Sequence, residues 1–287
     1  MREKRSVFKF LKKIDWPEYI IIGTLFFLFV SGLVFYLVDL RNIFGLRDAL
    51  FNLSSDYFYF TYRPFFFQNW GRNSGIAEIL QWLCLGGATL LSAFFAGRFY
   101  GQGKRIFKFW AILSIAFFLI LLEDAGDVRH TFMSYVQVAF DEPDQGWGGT
   151  LFEFLYFSLL GGLPFYAFVR YGWSSLRDYS KTRIYFVIGF AFYFLAASFS
   201  FLGTALSGIV DKDLYTRAGD KLYQLCLKIG DPALANQWEL WEQVNWRFPI
   251  GLFLMDSLVE ESIELIGASF LLAATISFML YLRRKAN

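Results

Sequence analysis

Six stretches of this chain are apolar for about 20 residues each, the length that carries an α-helix across a hydrocarbon core of about 30 Å. They run from Tyr19 to Val38, Ile76 to Gly97, Ile106 to His130, Leu151 to Tyr171, Ile184 to Val210 and Ser257 to Leu282. The third is uncharged from Phe109 to Leu122 and then continues, as one expected helix, through Glu123, Asp127 and His130. None alternates with the period of two that a membrane β-barrel needs. The expected fold is therefore an all-α integral membrane protein with six transmembrane helices, read as one polytopic domain over residues 1–287 with an outer helical loop over 211–250. Composition agrees: 56% of residues are hydrophobic and 22% aromatic, more apolar surface than one water-soluble core hides.

Arg2 to Lys13 followed by an apolar run also fits a secretory signal. The run is too long for one, and Val38-Asp39-Leu40-Arg41 follows it in place of a small-residue cleavage site, so a retained first helix is expected. Basic residues set the orientation. With the N-terminus cytoplasmic, the inner segments hold 17 Lys and Arg, and the far longer outer segments hold 10. Both termini are then cytoplasmic, in the plasma membrane or, in a prokaryote, the inner membrane. Of the 25 acids, only Glu3, Asp15, Glu18 and Asp178 fall inside, so acid gathers on the outer side.

Two outer segments stand out. Residues 41–75 carry Phe51, Tyr57, Phe58, Tyr59, Phe60, Tyr62, Phe65, Phe66, Phe67 and Trp70, too aromatic for a solvated linker. They are expected in the headgroup zone, on the bundle, or against a protein partner. Between Asp211 and Pro249 two short helices are expected, the second capped by Asp231 with Pro232 at its first position, and with Leu234, Trp238 and Trp241 on one face. That face suits a lid over the bundle or a helix resting on lipid.

Chemistry is concentrated at the outer boundary. Glu123, Asp127 and His130 fall on one face of the third helix as read, with Asp124 pointing elsewhere. Asp127-x-x-His130 places a carboxylate and an imidazole one helical turn apart, and Glu260, Glu261 and Glu264 open the sixth helix, with Asp256 a turn before them. Glu78 opens the second helix and Glu153 the fourth, so acids from four helices reach one membrane level. The set Glu123, Asp127, His130, Glu260, Glu264, Glu153 and Glu78 is the candidate metal site. It resembles in outline the di-metal sites of ferritin-like four-helix proteins, whose two Glu-x-x-His motifs would here be represented by Asp127-x-x-His130 and Glu261-x-x-Glu264. Oxygen-rich ligands with one nitrogen suit Fe, Mn, Mg or Ca. The competing structural account makes Glu78, Glu153 and the Glu260–Glu264 group helix caps, favoured by the macrodipole whatever the function.

Other chemistries are excluded or lack support. Cys84 and Cys226 form no motif, the single His130 excludes imidazole relays, and a net charge of +2 gives no basic patch for nucleic acid. Three functions fit: a membrane protein with a carboxylate-rich cation or metal site, extending to a metalloenzyme acting on a lipid-soluble substrate; a cation or proton transporter with an acidic vestibule; and an accessory subunit of a membrane complex. The transporter reading draws on Gly86-Gly87 and on Gly161-Gly162 with Pro164, which are able to interrupt their helices at mid-membrane.

Overall fold

A computed structural model describes residues 15–56, 65–70, 75–140, 147–204, 214–244 and 249–286. Among these residues every regular element is a helix and there is no strand. Helix α1 spans Trp16–Val34 and widens into a π turn over Phe35–Leu40, and α2 is Leu46–Asp56. Next come α3 (Ile76–Phe99), α4 (Lys104–Gly126), α5 (Val128–Phe140), and α6 (Trp147–Ala167), whose last turns pass through a π segment over Phe168–Gly172. Then follow α7 (Ser180–Thr204), α8 (Leu214–Ile229) and α9 (Leu234–Val244). Helix α10 opens over Ile250–Phe253, widens into a π turn over Leu254–Glu260 and runs on over Glu261–Ala286. Six of these helices are long and apolar enough to cross a membrane: Trp16–Leu40, Ile76–Phe99, Lys104–Gly126, Gly148–Ser175, Ser180–Phe199 and Ile250–Lys285.

Helix α10 is the axis of the bundle. Half of its apolar window, 50%, is buried by protein, against 11% for α1. It packs on α1, α3 and α7, while α3 lies on α4 and α4 on α6. Small residues allow these approaches. A Cβ on Gly189 of α7 would sit 3.1 Å from the carbonyl oxygen of Gly267 in α10, and one on Gly267 would meet the Tyr193 ring at 2.7 Å. Below this level an aromatic core of Phe95, Phe109, Trp110, Phe117, Phe186 and Phe278 fills the bundle without exposed surface. At the far end Asp15 pairs with Arg284 at 2.8 Å and Glu18 with Lys181 at 2.7 Å, so the start of α1 and the end of α10 lie at the same end of the molecule.

At the opposite end the described part of the aromatic segment packs on protein. Phe65, Phe67 and Trp70 are buried, and the Leu234, Trp238 and Trp241 face of α9 closes on Phe65, Phe67 and Phe253 as a second core. Tyr57, Phe58, Tyr59, Phe60 and Tyr62 lie outside the described residues. Asp231 accepts from the Ala233 amide at 2.8 Å, and α9 proper begins at Leu234, three residues after it. In the same core, burial pushes the Cys226 thiol up to about 11. Maleimide labelling of folded protein at pH 8 is expected to miss Cys226 and to reach it after denaturation. Because the folded value lies above that of a free thiol, stability from this group holds below about pH 9 and falls as pH rises toward 11.

Helices α8 and α10 meet backbone to backbone, where a Cβ on Gly251 would lie 2.7 Å from the carbonyl carbon of Gly219 and 2.8 Å from its oxygen. Neither helix has a flexible atom to withdraw at that point. Gly251→Ala is expected to cost about 1–3 kcal/mol, read as a lower unfolding temperature in detergent.

Several expectations are corrected. The third span does not continue to His130: α4 ends at Gly126 and Asp127 turns left-handed at φ 48°, ψ 42°, a conformation Asp tolerates better than most side-chain-bearing residues. The fourth helix begins at Trp147 and the sixth at Ile250, so Glu153 and Glu260 to Glu264 stand inside helices and are not first-turn caps. Gly86-Gly87 leaves α3 uninterrupted, and Gly161-Gly162 with Pro164 leaves α6 helical through Ala167. Gly87 is a packing position, with a Leu272 methyl 3.0 Å from where its Cβ would be.

Candidate functional site

The helix break at Asp127 builds one side of the site. Its amide still bonds the Glu123 carbonyl at 2.9 Å, but the left-handed turn starts a new helix, and the Arg129 side chain folds back beneath the end of α4. Glu123 then accepts from the Arg129 backbone N–H at 2.9 Å, from Arg129 Nε at 3.3 Å and from the Tyr156 hydroxyl at 2.5 Å. Its carboxylate caps the first turn of α5 and pairs with a side chain of that turn. Arg129 also donates through Nη1 to Glu153 at 3.0 Å and lies 5.1 Å from the centre of the Phe157 ring. Glu153 is 2% exposed, so this half is a buried carboxylate–guanidinium–carboxylate chain fixed by α4, α5 and α6.

A second half lies on α3, α4 and α10. Gln81 of α3, 1% exposed, donates from Nε2 to Asp124 Oδ2 at 2.7 Å and to Glu264 Oε2 at 2.8 Å. One amide nitrogen thus holds two carboxylates from different helices. Glu78 and Glu123 are near enough for their charge to act on Asp124, and Glu261 stands in the same field, beside Glu264, Glu78 and Asp124. Glu260, at the end of the π turn, accepts from the Tyr215 hydroxyl of α8 at 3.0 Å and also lies within the field of Arg129. Burial, then the charge of Glu260, pushes the Tyr215 phenol far above its ordinary value, so it stays a neutral donor.

The structure therefore brings Glu78, Glu123, Glu153, Glu260 and Glu264 into one region but separates Asp127 from them. Asp127 is exposed, at a backbone break, and no longer shares a helical face with Glu123. The side chain of His130 lies outside the described residues. Among the described residues no three His, Cys, Asp or Glu side chains are placed to hold a metal ion together. The expectation that Asp124 points away is corrected, because it is the carboxylate that Gln81 binds.

Gln81, Asp124, Arg129, Tyr156 and Tyr215 are participants that the sequence reading did not select. For Asp124 a signal was present: the buried face of α4, Trp110, Leu113, Phe117 and Ile120, reaches position 124 in its next turn. Gln81 lies one turn after Glu78 on the same side of α3. For Arg129 the signal was its place beside Asp127 and His130 as a basic residue near the acids; its pairing with Glu123 and Glu153 depends on the reversal at Asp127.

A third polar group ties the outer helices to α1. Arg47 and Asp39 are both fully buried. Asp39 accepts from the Phe66 and Phe67 amides at 2.8 and 3.0 Å, while Arg47 donates to the Asp39 carbonyl at 2.7 Å and pairs with Asp231 at 2.6 Å. Asp48, hydrogen-bonded by Gln237 and paired with Arg47, is held below the usual carboxylate range despite some burial.

Comparison with protein-family models, with curated protein sequences and with solved structures gave no match for this chain. The class established by fold and composition is that of an all-helical protein with six candidate membrane spans.

Proposed function

We propose that this chain is a multi-pass membrane protein that binds cations at the buried carboxylate cluster, with both termini cytoplasmic and the cluster near the outer face of a plasma or bacterial inner membrane. The bias of Lys and Arg toward the inner segments supports that orientation. The observation that carries the cation reading is that Asp124 of α4 and Glu264 of α10 converge on Gln81, while Arg129, the basic side chain that the described ion pairs bring to this region, is engaged by Glu123 and Glu153. A carboxylate in the hydrocarbon region costs roughly 2.5–3.5 kcal/mol on insertion scales, and two at 4 Å repel by about 4 kcal/mol at an effective dielectric of 20. Bound positive charge relieves both terms.

The aromatic core beneath the cluster favours a one-sided site over an open channel. Trp110 lies fourteen residues before Asp124 and Phe278 fourteen after Glu264, about 21 Å along each helix, and both are buried. Saturation of Glu123 by Arg129 and Tyr156, and the loss of Asp127 from the shared face, weigh against the ferritin-like di-metal arrangement and hence against a metalloenzyme. Fe, Mn, Mg and Ca remain occupants to be tested on the cluster as a whole. The Tyr215–Glu260 bond and the Gly219–Gly251 contact couple α8 to this region, giving occupancy a route to the outer helices.

The test is the unfolding temperature of purified protein in detergent at fixed ionic strength, with choline chloride exchanged for Na+, K+, Mg2+, Ca2+ or Mn2+ salts. A saturable rise with at least one cation is expected. No rise with any of them between pH 6 and 8 would overturn the reading.

A further inference from the structure

We infer that Lys108, Arg170, Tyr166 and Tyr171 form a headgroup site for a phospholipid of net negative charge, at the end of the bundle where α1 begins and α10 finishes. In the orientation proposed above this end meets the cytoplasmic leaflet, but the binding depends neither on that orientation nor on the cation reading. Lys108 stands in the second turn of α4, and Arg170 in the π turn that ends α6. Both cations lie over one ring: Lys108 Nζ is 5.8 Å and the Arg170 guanidinium carbon 5.9 Å from the centre of Tyr171. Both side chains are exposed, and among the described residues neither enters an ion pair. Lys104 and Arg105 add two cations one turn earlier, at the positive end of the α4 dipole and with no acid in that turn. Elsewhere at this end charge is balanced, since Lys181 pairs with Glu18 and Arg284 with Asp15.

The local backbone builds the place. Residues five apart on a regular α-helix are rotated by about 140° from each other. The π turn over Phe168–Gly172 instead brings Tyr166 and Tyr171 ring to ring at 5.8 Å, with their hydroxyls 3.4 Å apart. Such widened turns recur at functional sites. Gly172 seats this one on α4: a Cβ there would fall 2.5 Å from the ring of Phe109, the residue after Lys108. When one tyrosine donates to the other, the second keeps a hydroxyl proton with no acceptor among the described residues. Tyr166 also stands in the field of both cations. The corner thus presents two positive charges and a spare O–H donor, which a phosphodiester oxygen pair accepts together.

The surface next to the corner selects a lipid over a soluble anion. On the face of α4 that carries Lys108, two turns further into the membrane, Ile115 is 56% exposed. On the face of α6 that carries Tyr166, Leu159 is 55% exposed, and Gly162 between them leaves open space. Acyl chains have apolar surface to lie on there, directly below the charged corner. Basic pockets between membrane helices bind anionic headgroups in this way. The competing account is diffuse attraction of any basic end to an anionic surface, and it sets the control.

The experiment follows the unfolding temperature of the full chain in neutral detergent, in choline chloride at fixed ionic strength. Dioleoylphosphatidylglycerol, dioleoylphosphatidylcholine or inorganic phosphate as its choline salt is added. Wild type is expected to gain about 3 °C or more, saturably, from the anionic lipid and much less from the other two. Lys108→Gln/Arg170→Gln should need at least about tenfold more anionic lipid for the same gain. Arg283→Gln/Lys285→Gln, which removes two exposed charges from the last turn of α10 at the same end, should respond as wild type does. Should the first double variant fail to fold, Lys108→Gln alone decides, with an expected need for about threefold more lipid. Equal weakening in the two double variants shows diffuse charge and overturns the inference, as does equal stabilisation by both lipids or none by either. A gain from inorganic phosphate that matches the anionic lipid's overturns the lipid assignment in favour of a soluble anion.

Discussion

Arg129→Met is expected to lower stability by about 3–5 kcal/mol, the loss seen when one partner of a buried ion pair is removed. The substituent keeps most of the side-chain volume, so the loss measures charge and not a cavity. Glu123 and Glu153 would be left facing each other across an apolar group, with Glu153 2% exposed and unable to recover its hydration. Adding Glu153→Gln removes that repulsion, because only one of the two charges is left. The double variant should therefore recover at least about 1 kcal/mol, a coupling within the range for residues sharing one network. Chemical unfolding in detergent measures both. A loss under about 1 kcal/mol for the single variant, or none recovered by the double, would contradict the charge-neutralising role.

Arg47→Met should be comparably damaging, again by about 3–5 kcal/mol, at a different place. Arg47 is fully buried where the end of α1, the start of α2 and the turn before α9 meet, holding the Asp39 carbonyl, Asp48 and Asp231. The Asp231 amide donates to the Leu40 carbonyl at 2.8 Å, so the same turn is fastened twice. Loss of Arg47 leaves Asp231 unpaired and the Asp39 carbonyl without its donor. Asp231→Asn, which keeps the hydrogen-bonding shape, should cost less than half as much. Protease resistance of the 214–244 segment should fall with Arg47→Met and stay near wild type with Asp231→Asn. Equal effects of the two would show that Asp231 alone carries the contact.

Most of the fold was legible because length and hydropathy leave a membrane helix few alternatives. The spans at Ile76 and Tyr19 were placed to within a few residues. The inaccuracies have definite physical origins. Helix starts at Trp147 and Ile250 lie before the uncharged runs, since membrane thickness limits the apolar part of a helix and not its hydrogen bonding. The break at Asp127 was hidden because neither Gly nor Pro marks it directly after Gly126, and an Asp in left-handed conformation has no unique sequence sign.

The site was legible in part for related reasons. Acids near span ends signal a cluster by their cost, and Glu78, Glu123, Glu153, Glu260 and Glu264 do converge. Which acid binds what was not readable. Treating α4 as continuing to His130 aimed Glu123 at Asp127, whereas the break turned it toward Arg129 and left Asp124 to meet Gln81. Neutral partners such as Gln81 and Tyr215 carry no cost that would draw attention to them in a sequence.

The central claim is tested most directly by cation binding itself. Purified protein in detergent is equilibrated with radioactive Na+, and separately with Ca2+ or Mn2+, and bound ion is counted after removal of free ion. The account predicts that at least one of these cations is retained by the chain near pH 7, is displaced by an excess of the same unlabelled ion and is lost in Glu264→Gln. Folded wild-type protein that retains no cation above a detergent blank would contradict it, and the carboxylates around Gln81 would then have to be neutralised by protons alone.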